Sequence, residues 1–171
     1  RITATELPPL VRVAVGVDPS TWGPEAGLQH ETVGRGIETG IVVVGMDARN
    51  ECYVIEDASC RKSPAEWAID VVAAYRRHRA NAIVPEINVG GWVVSTINTA
   101  AQGGELPRYA KNKAGRPGVQ ARTGKRARIE PIAAWYEAGH VHHVGRYEAL
   151  EDQLVGWDPR EAWSPDRIDA L

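Results

Sequence analysis

Two short apolar runs in this chain each end in a carboxylate. Val11 to Asp18 (Val-Arg-Val-Ala-Val-Gly-Val-Asp) is rich in β-branched residues and closes on Asp18, and Asn81 to Glu86 (Asn-Ala-Ile-Val-Pro-Glu) closes on Glu86. Runs of this length and composition read as buried strands. The chain is therefore expected to build a sheet whose strands deliver acids at their carboxyl ends, where sites gather in α/β folds. A third acidic position lies in Ser164-Pro-Asp-Arg-Ile-Asp-Ala-Leu171, where Asp166 and Asp169 are three apart and share one helix face. Carboxylates drawn from two strand ends and a helix are the oxygen ligands of an Mg²⁺ or Mn²⁺ pocket. Two such ions can clamp the attacking and leaving oxygens of a phosphodiester. The pattern points to metal-dependent cleavage of nucleic acid.

Two of these acids also have a plainer explanation. Asp18-Pro19 is good turn chemistry, and Asp166 suits the first turn of a helix through the backbone dipole. Asp169 is explained less well, because Ile168, Ala170 and Leu171 flank it and an acid among apolar neighbours needs a cation or a partner. Glu86 is followed by Asn88 and Gly90-Gly91, a stretch in which backbone can approach a ligand closely.

Around these acids the chain reads as an α/β domain. Thr39 to Met46 is a continuous apolar strand, and Glu51 to Asp57 pairs with it through the short polar connection Asp47 to Asn50. Ser63-Pro-Ala-Glu66 starts a helix with Ser as N-cap, Pro at the first position and Glu completing a capping box. Trp67, Val71, Ala74 and Tyr75 give that helix an apolar face ending near Arg79. Further helices are expected from Trp92 to about Ala101, from about Lys125 to Ala138 with Pro131 as an irregularity, and from Tyr147 to Val155. Val141 to Val144 is a short fifth strand, and Ser164 opens the last helix with Pro165 at its first position. The early hairpins are antiparallel, and the fourth strand returns by a helical crossover, parallel to a neighbour. Pro19 to Gly36 is a long polar loop leaving directly from Asp18.

A length of 171 residues suits one compact domain. Phe is absent and Trp occurs six times, so the core rests on aliphatic residues with Trp as bulky filler. No run approaches the length of a membrane span, and no charged-then-apolar stretch reads as a secretion signal, so a non-secreted domain is expected. Cys52 and Cys60 fit neither a zinc motif nor a redox pair and read as half-buried small residues in a reducing compartment. His140 and His142 share a strand face beside His143, but no further ligand closes a zinc shell, so a polar strand end is expected.

Net charge is only −2, yet its distribution is uneven. Arg108, Lys111, Lys113, Arg116, Arg122, Lys125, Arg126 and Arg128 follow one another with no acid between them. Such a block is a phosphate-binding footprint or, more plainly, a solvated surface. Its loop portion, Gly103 to Gly118, alternates cations without an apolar face and is expected to be mobile until DNA orders it.

Taken together, Asp-Pro after the first strand, Pro85-Glu-Ile-Asn-Val-Gly-Gly91, Lys125-Arg-Ala-Arg-Ile-Glu-Pro-Ile132 and Ser164-Pro-Asp-Arg-Ile-Asp-Ala-Leu171 resemble the C-terminal nuclease domain of the large terminase subunit of tailed bacteriophages. The resemblance covers the chain from about Val11. It implies an RNase H-like fold related to RuvC-type resolvases: a mixed five-stranded sheet, antiparallel over its first three strands and flanked by helices. It implies an Mg²⁺- or Mn²⁺-dependent endonuclease, with two ions, that cuts concatemeric double-stranded DNA at the start and end of genome packaging.

By the same resemblance Asp18 is the first-strand ligand bridging both ions and Glu86 is the second carboxylate. Asp166 and Asp169 match an Asp-Xaa-Xaa-Asp-Ala arrangement, with Asp169 favoured, and Glu38 stands about where an auxiliary second-strand acid is found. Lys125 and Arg128 match a basic motif, and Lys111, Lys113 and Arg122 join them as expected DNA contacts. Residues 1–10 are expected to be a linker from an upstream ATPase domain, since no Gly-rich Lys-Ser/Thr loop is present, and the last helix is expected to be truncated at Leu171. Implied partners are double-stranded DNA, the ATPase domain, the portal and the small terminase subunit, in the cytoplasm of an infected bacterial host, with the isolated domain a monomer. Two rival readings share these residues: a RuvC-like resolvase cutting branched DNA, and a catalytically silent DNA-binding or docking module.

Overall fold

The computed structural model describes residues 1–19, 38–88, 90–120, 124–158 and 165–171. The long loop expected after Asp18 falls almost wholly outside them, as do Arg122 and Ser164. Five strands form one mixed sheet. β1 (Leu10–Asp18), β2 (Gly40–Asp47) and β3 (Cys52–Asp57) run antiparallel in succession. β4 (Ala82–Pro85) joins β1 in parallel and β5 (Val141–His143) joins β3 in parallel, giving the order β4-β1-β2-β3-β5. The helices are α1 (Pro64–Arg77), α2 (Trp92–Ala100), α3 (Lys125–Glu137), α4 (Glu148–Gly156) and α5 (Asp166–Ala170). This is the mixed sheet read from the sequence, with its first three strands antiparallel.

Local chemistry explains the elements. Asp47 closes the β2–β3 turn by accepting from the backbone N–H groups of Arg49 (2.8 Å) and Glu51 (3.0 Å), while Asn50 takes the left-handed conformation at φ 66°. Ser63 caps α1, and Glu66 reaches back to the Ser63 N–H at 3.0 Å.

Strand alternation then divides the sheet into two faces. Val15, Val17, Ile41, Val43 and Ile83 bury one face against Trp67, Val71 and Ala74 of α1 and Val93 and Ile97 of α2. The other face carries Val42 and Val54, covered by Leu150 of α4 and Ala170 of α5. Among the described residues no helix is long and apolar enough to cross a membrane.

Three segments depart from expectation. Residues 1–10, read as a linker, hold a 3-10 turn at Ala4–Glu6 and a backbone pairing in which Ile2 N–H donates to His143 O (2.8 Å) and Gly145 N–H donates to Ile2 O (2.9 Å). Pro pairs break helices, but Ile2 precedes them and is placed to extend the β5 edge. The basic loop is not a featureless connection. Ile83 and Tyr109 form a parallel bridge, Lys111 pairs with Pro117, and Val119 bridges Glu86, so the segment folds back as a hairpin along the outer edge of β4. Unused edge hydrogen bonds of β4 are the physical reason, since a strand edge offers partners that loop composition does not reveal. Finally, Pro165 is the N-cap of the last helix rather than its first residue.

Candidate active site

Asp18 ends β1 and Glu86 follows β4, its immediate parallel neighbour. Val17 pairs with Pro85, and the Glu86 N–H donates to Val17 O at 2.8 Å. Asp18 and Glu86 are thus the next step in register. Both fall on the Gly16–Val84 side of their strands, the face that α5 covers.

Two glycines bring α5 onto that face. A Cβ on Gly16 would meet Ala170 O at 1.8 Å, and one on Gly40 would meet Asp166 O at 1.9 Å. The helix therefore lies across β1 and β2 on bare backbone, one end at each glycine. It is pinned by Arg167, which donates through Nε (2.9 Å) and its outer nitrogen (2.8 Å) to the two oxygens of Glu38 and pairs with Asp57. Glu38, expected as an auxiliary ligand, gives both oxygens to this clamp. The signal was present in the sequence only as Arg167 between the two aspartates.

Glu86 and Asp169 line one cavity of about 200 Å³ together with Gly16, Val84, Val119 and Arg128. Arg128 joins them: it donates from one terminal nitrogen to Glu86 at 2.8 Å and from the other lies 3.2 Å from Asp169. The second oxygen of Glu86 accepts from the Asn88 amide at 2.6 Å. Asp169 is only 3% exposed, so its expected need of a cationic partner is met by a guanidinium. Asp166, at the first position of α5, is half-buried.

Among the expected DNA contacts, Arg128 therefore faces the acids. Lys111 and Lys113 are exposed on the hairpin whose stem bridges Glu86, and Lys125 opens α3. What sequence reasoning missed is Arg128 as counter-ion. A signal existed, because cations in the first turn of a helix oppose its dipole by roughly 0.3–1 kcal/mol each and so imply acids nearby.

Among the described residues no three acidic, imidazole or thiol groups gather closely enough to hold a metal ion. The donor set nonetheless fits a hard divalent cation in kind, being carboxylate oxygen throughout, and the place between Glu86 and Asp169 is taken by Arg128. His140 Nδ1 and His142 Nε2 both engage Glu51, at 2.9 and 3.0 Å, forming the polar strand end expected of them. Cys52 and Cys60 are free and half-buried, and burial pushes the Cys60 thiol up to about 11.

No curated protein matches the chain. Among solved structures, T. thermophilus RuvC in complex with a Holliday junction substrate is similar at 16% identity and a TM-score of 0.47, over 93% of this chain and 89% of that one. The family model of the terminase RNase H-like domain matches residues 15–171, a span that takes in the end of β1, all of β4 and α5. The chain belongs to the terminase RNase H-like domain family, a family of nucleases.

Proposed function

We propose that this domain is an Mg²⁺- or Mn²⁺-dependent endonuclease that cuts concatemeric double-stranded viral DNA during genome packaging. One observation carries the reading: Glu86 and Asp169, remote in sequence, share one cavity and one guanidinium, with Asp18 next in register to Glu86 on the same sheet face. Asp18, Glu86 and Asp169 would hold the ions, with Asp166 at the margin. When bound, two such ions supply the positive charge that neutralises the phosphate and activates water. The chain's own residues position and do not attack. The sheet fixes Asp18 and Glu86, Gly16 and Arg167 seat Asp169, and the Lys111–Lys113 hairpin beside Glu86 holds the DNA backbone. Contacts of that kind fix register without reading bases, so cutting is sequence-neutral. In the host cytoplasm the domain works alongside an ATPase domain, a portal and a small terminase subunit.

The test is supercoiled plasmid incubated with Mn²⁺, with EDTA, and with Asp18→Asn in place of wild type. Nicking and linearisation are expected with Mn²⁺ alone. Asp18→Asn should fall by roughly a thousandfold or more, the scale of losing several kcal/mol of charge stabilisation. Cutting that persists in EDTA, or an Asp18→Asn variant at full rate, would overturn the assignment. A protein that binds DNA but never cuts it would be the silent module.

A further inference from the structure

Arg128 is the one basic residue of α3 whose charge is turned inward among those described. Arg126, two residues earlier, is 75% exposed and pairs with Glu130 one turn on at 2.8 Å, an ordinary solvent contact. Arg128 is 26% exposed and reaches two carboxylates from different elements, Glu86 beyond β4 and Asp169 in α5. Its Nε is buried and, among the described residues, has no hydrogen-bond partner. The bridge is therefore held with one donor unsatisfied, at the positive end of a helix, both of which weaken it. A guanidinium between two acids also stands where any ion shared by those acids would have to sit, and two cations cannot share that place.

We propose that Arg128 is the resident counter-ion of the acidic centre, exchanged for the divalent ion rather than bound beside it. The inference rests on the metal-centre reading above and adds to it a competition. Metal enters as the guanidinium leaves Glu86 and Asp169. The displaced guanidinium swings toward the mouth of the cavity, near Val119 and the basic hairpin, where a phosphate oxygen can take it. DNA and metal then favour each other's binding, and by linkage the coupling is reciprocal.

The experiment is Mn²⁺ binding by calorimetry without DNA, with melting in EDTA alongside, for wild type, Arg128→Ala, Arg128→Lys and Arg126→Ala. Arg128→Ala should bind Mn²⁺ tighter by roughly tenfold to a hundredfold, the range of the charge-assisted hydrogen bonds removed, and should melt lower in EDTA. Arg128→Lys keeps the charge but lacks the planar fork that spans two acids, so its affinity should fall between. Arg126→Ala should match wild type. Wild-type binding with no gain in either Arg128 variant overturns the exchange. Should Arg128→Ala fail to fold, the Lys variant decides by the same comparison. Absence of Mn²⁺ binding in wild type and Arg128 variants alike overturns the metal reading itself.

Discussion

The carbonyl oxygen of Ala170 lies 1.8 Å from where a side chain on Gly16 would begin. No methyl group fits there, and the obstacle is backbone, which cannot rotate aside. Helix α5 thus reaches the sheet only over a bare strand, and Asp169 reaches its cavity only because α5 does.

Gly16→Ala should therefore lift α5 from β1. Overpacking of this kind costs about 1–3 kcal/mol, and nuclease activity should fall with it because Asp169 moves. Gly91→Ala, which meets nothing within 4 Å among the described residues, is the matched control and should leave melting unchanged. A Gly16→Ala protein that melts and cuts like wild type would contradict this packing.

Arg167 should prove a structural anchor rather than a DNA contact. It is 14% exposed and faces Glu38 and Asp57, which are 11% and 5% exposed. Removing one partner of a buried pair leaves charge uncompensated, so Arg167→Ala should lose about 3–5 kcal/mol in a denaturant titration. Arg167→Lys should recover little, since an ammonium cannot match the two-pronged contact with Glu38. A loss under about 1 kcal/mol, the range of surface pairs, would show the cluster to be superficial.

Stability should fall in two stages on acidification. His143 is buried; its Nδ1 donates to Glu151 at 2.9 Å and its Nε2 accepts from the Tyr136 hydroxyl at 2.7 Å, with the Tyr147 ring tilted against it at 5.9 Å between centroids. Burial lowers its pKa from the ordinary 6.5, against the opposing pull of Glu151. The folded state then holds fewer protons than the unfolded one, so stability declines as pH drops below 6.5. Glu151 is held at about 2 by the Arg1 guanidinium first and His143 second; its contribution is present above 4.5 and disappears as pH falls toward 2. Urea titrations from pH 7.5 downward should show both stages, and His143→Gln should remove the first. An unchanged upper stage in that variant would assign it to another group.

Lys111→Gln with Lys113→Gln should weaken DNA binding on all sequences alike. Each phosphate no longer engaged takes about 0.9 off the slope of log K against log salt. Both lysines are exposed on a hairpin whose stem bridges Glu86, so the fold should be unaffected. An unaltered slope would place the DNA on another surface.

What could be read in advance was whatever local chemistry determines. Ser63 and Glu66 write their capping box within four letters, and the β-branched runs into Asp18 and toward Glu86 declare strands. Their shared sheet face follows from a parallel crossover. The cations opening α3 hint at acids nearby, but which of them turns inward was opaque, because the partner Glu86 is 42 residues away and nothing in Lys-Arg-Ala-Arg distinguishes the inward cation from the outward one. Glu38 was opaque for the same reason: a ligand and a clamp partner are both just glutamates until Arg167 is seen beside it. The place of β5 next to β3 also escaped, since three residues of strand carry no mark of their neighbour.

The hairpin along β4 has one more effect, on how copies of this domain treat each other. An open strand edge invites a second molecule to add a strand of its own, the first step toward aggregation. Here the outer side of β4 is already bonded, through Ile83 to the segment around Tyr109 and through Pro85 to Val119. Beyond it the chain presents exposed Lys111, Lys113 and Arg116 with Pro117, residues that repel or cannot join a further ladder. The segment proposed to offer charge to a nucleic acid also closes that side of the sheet to its own kind.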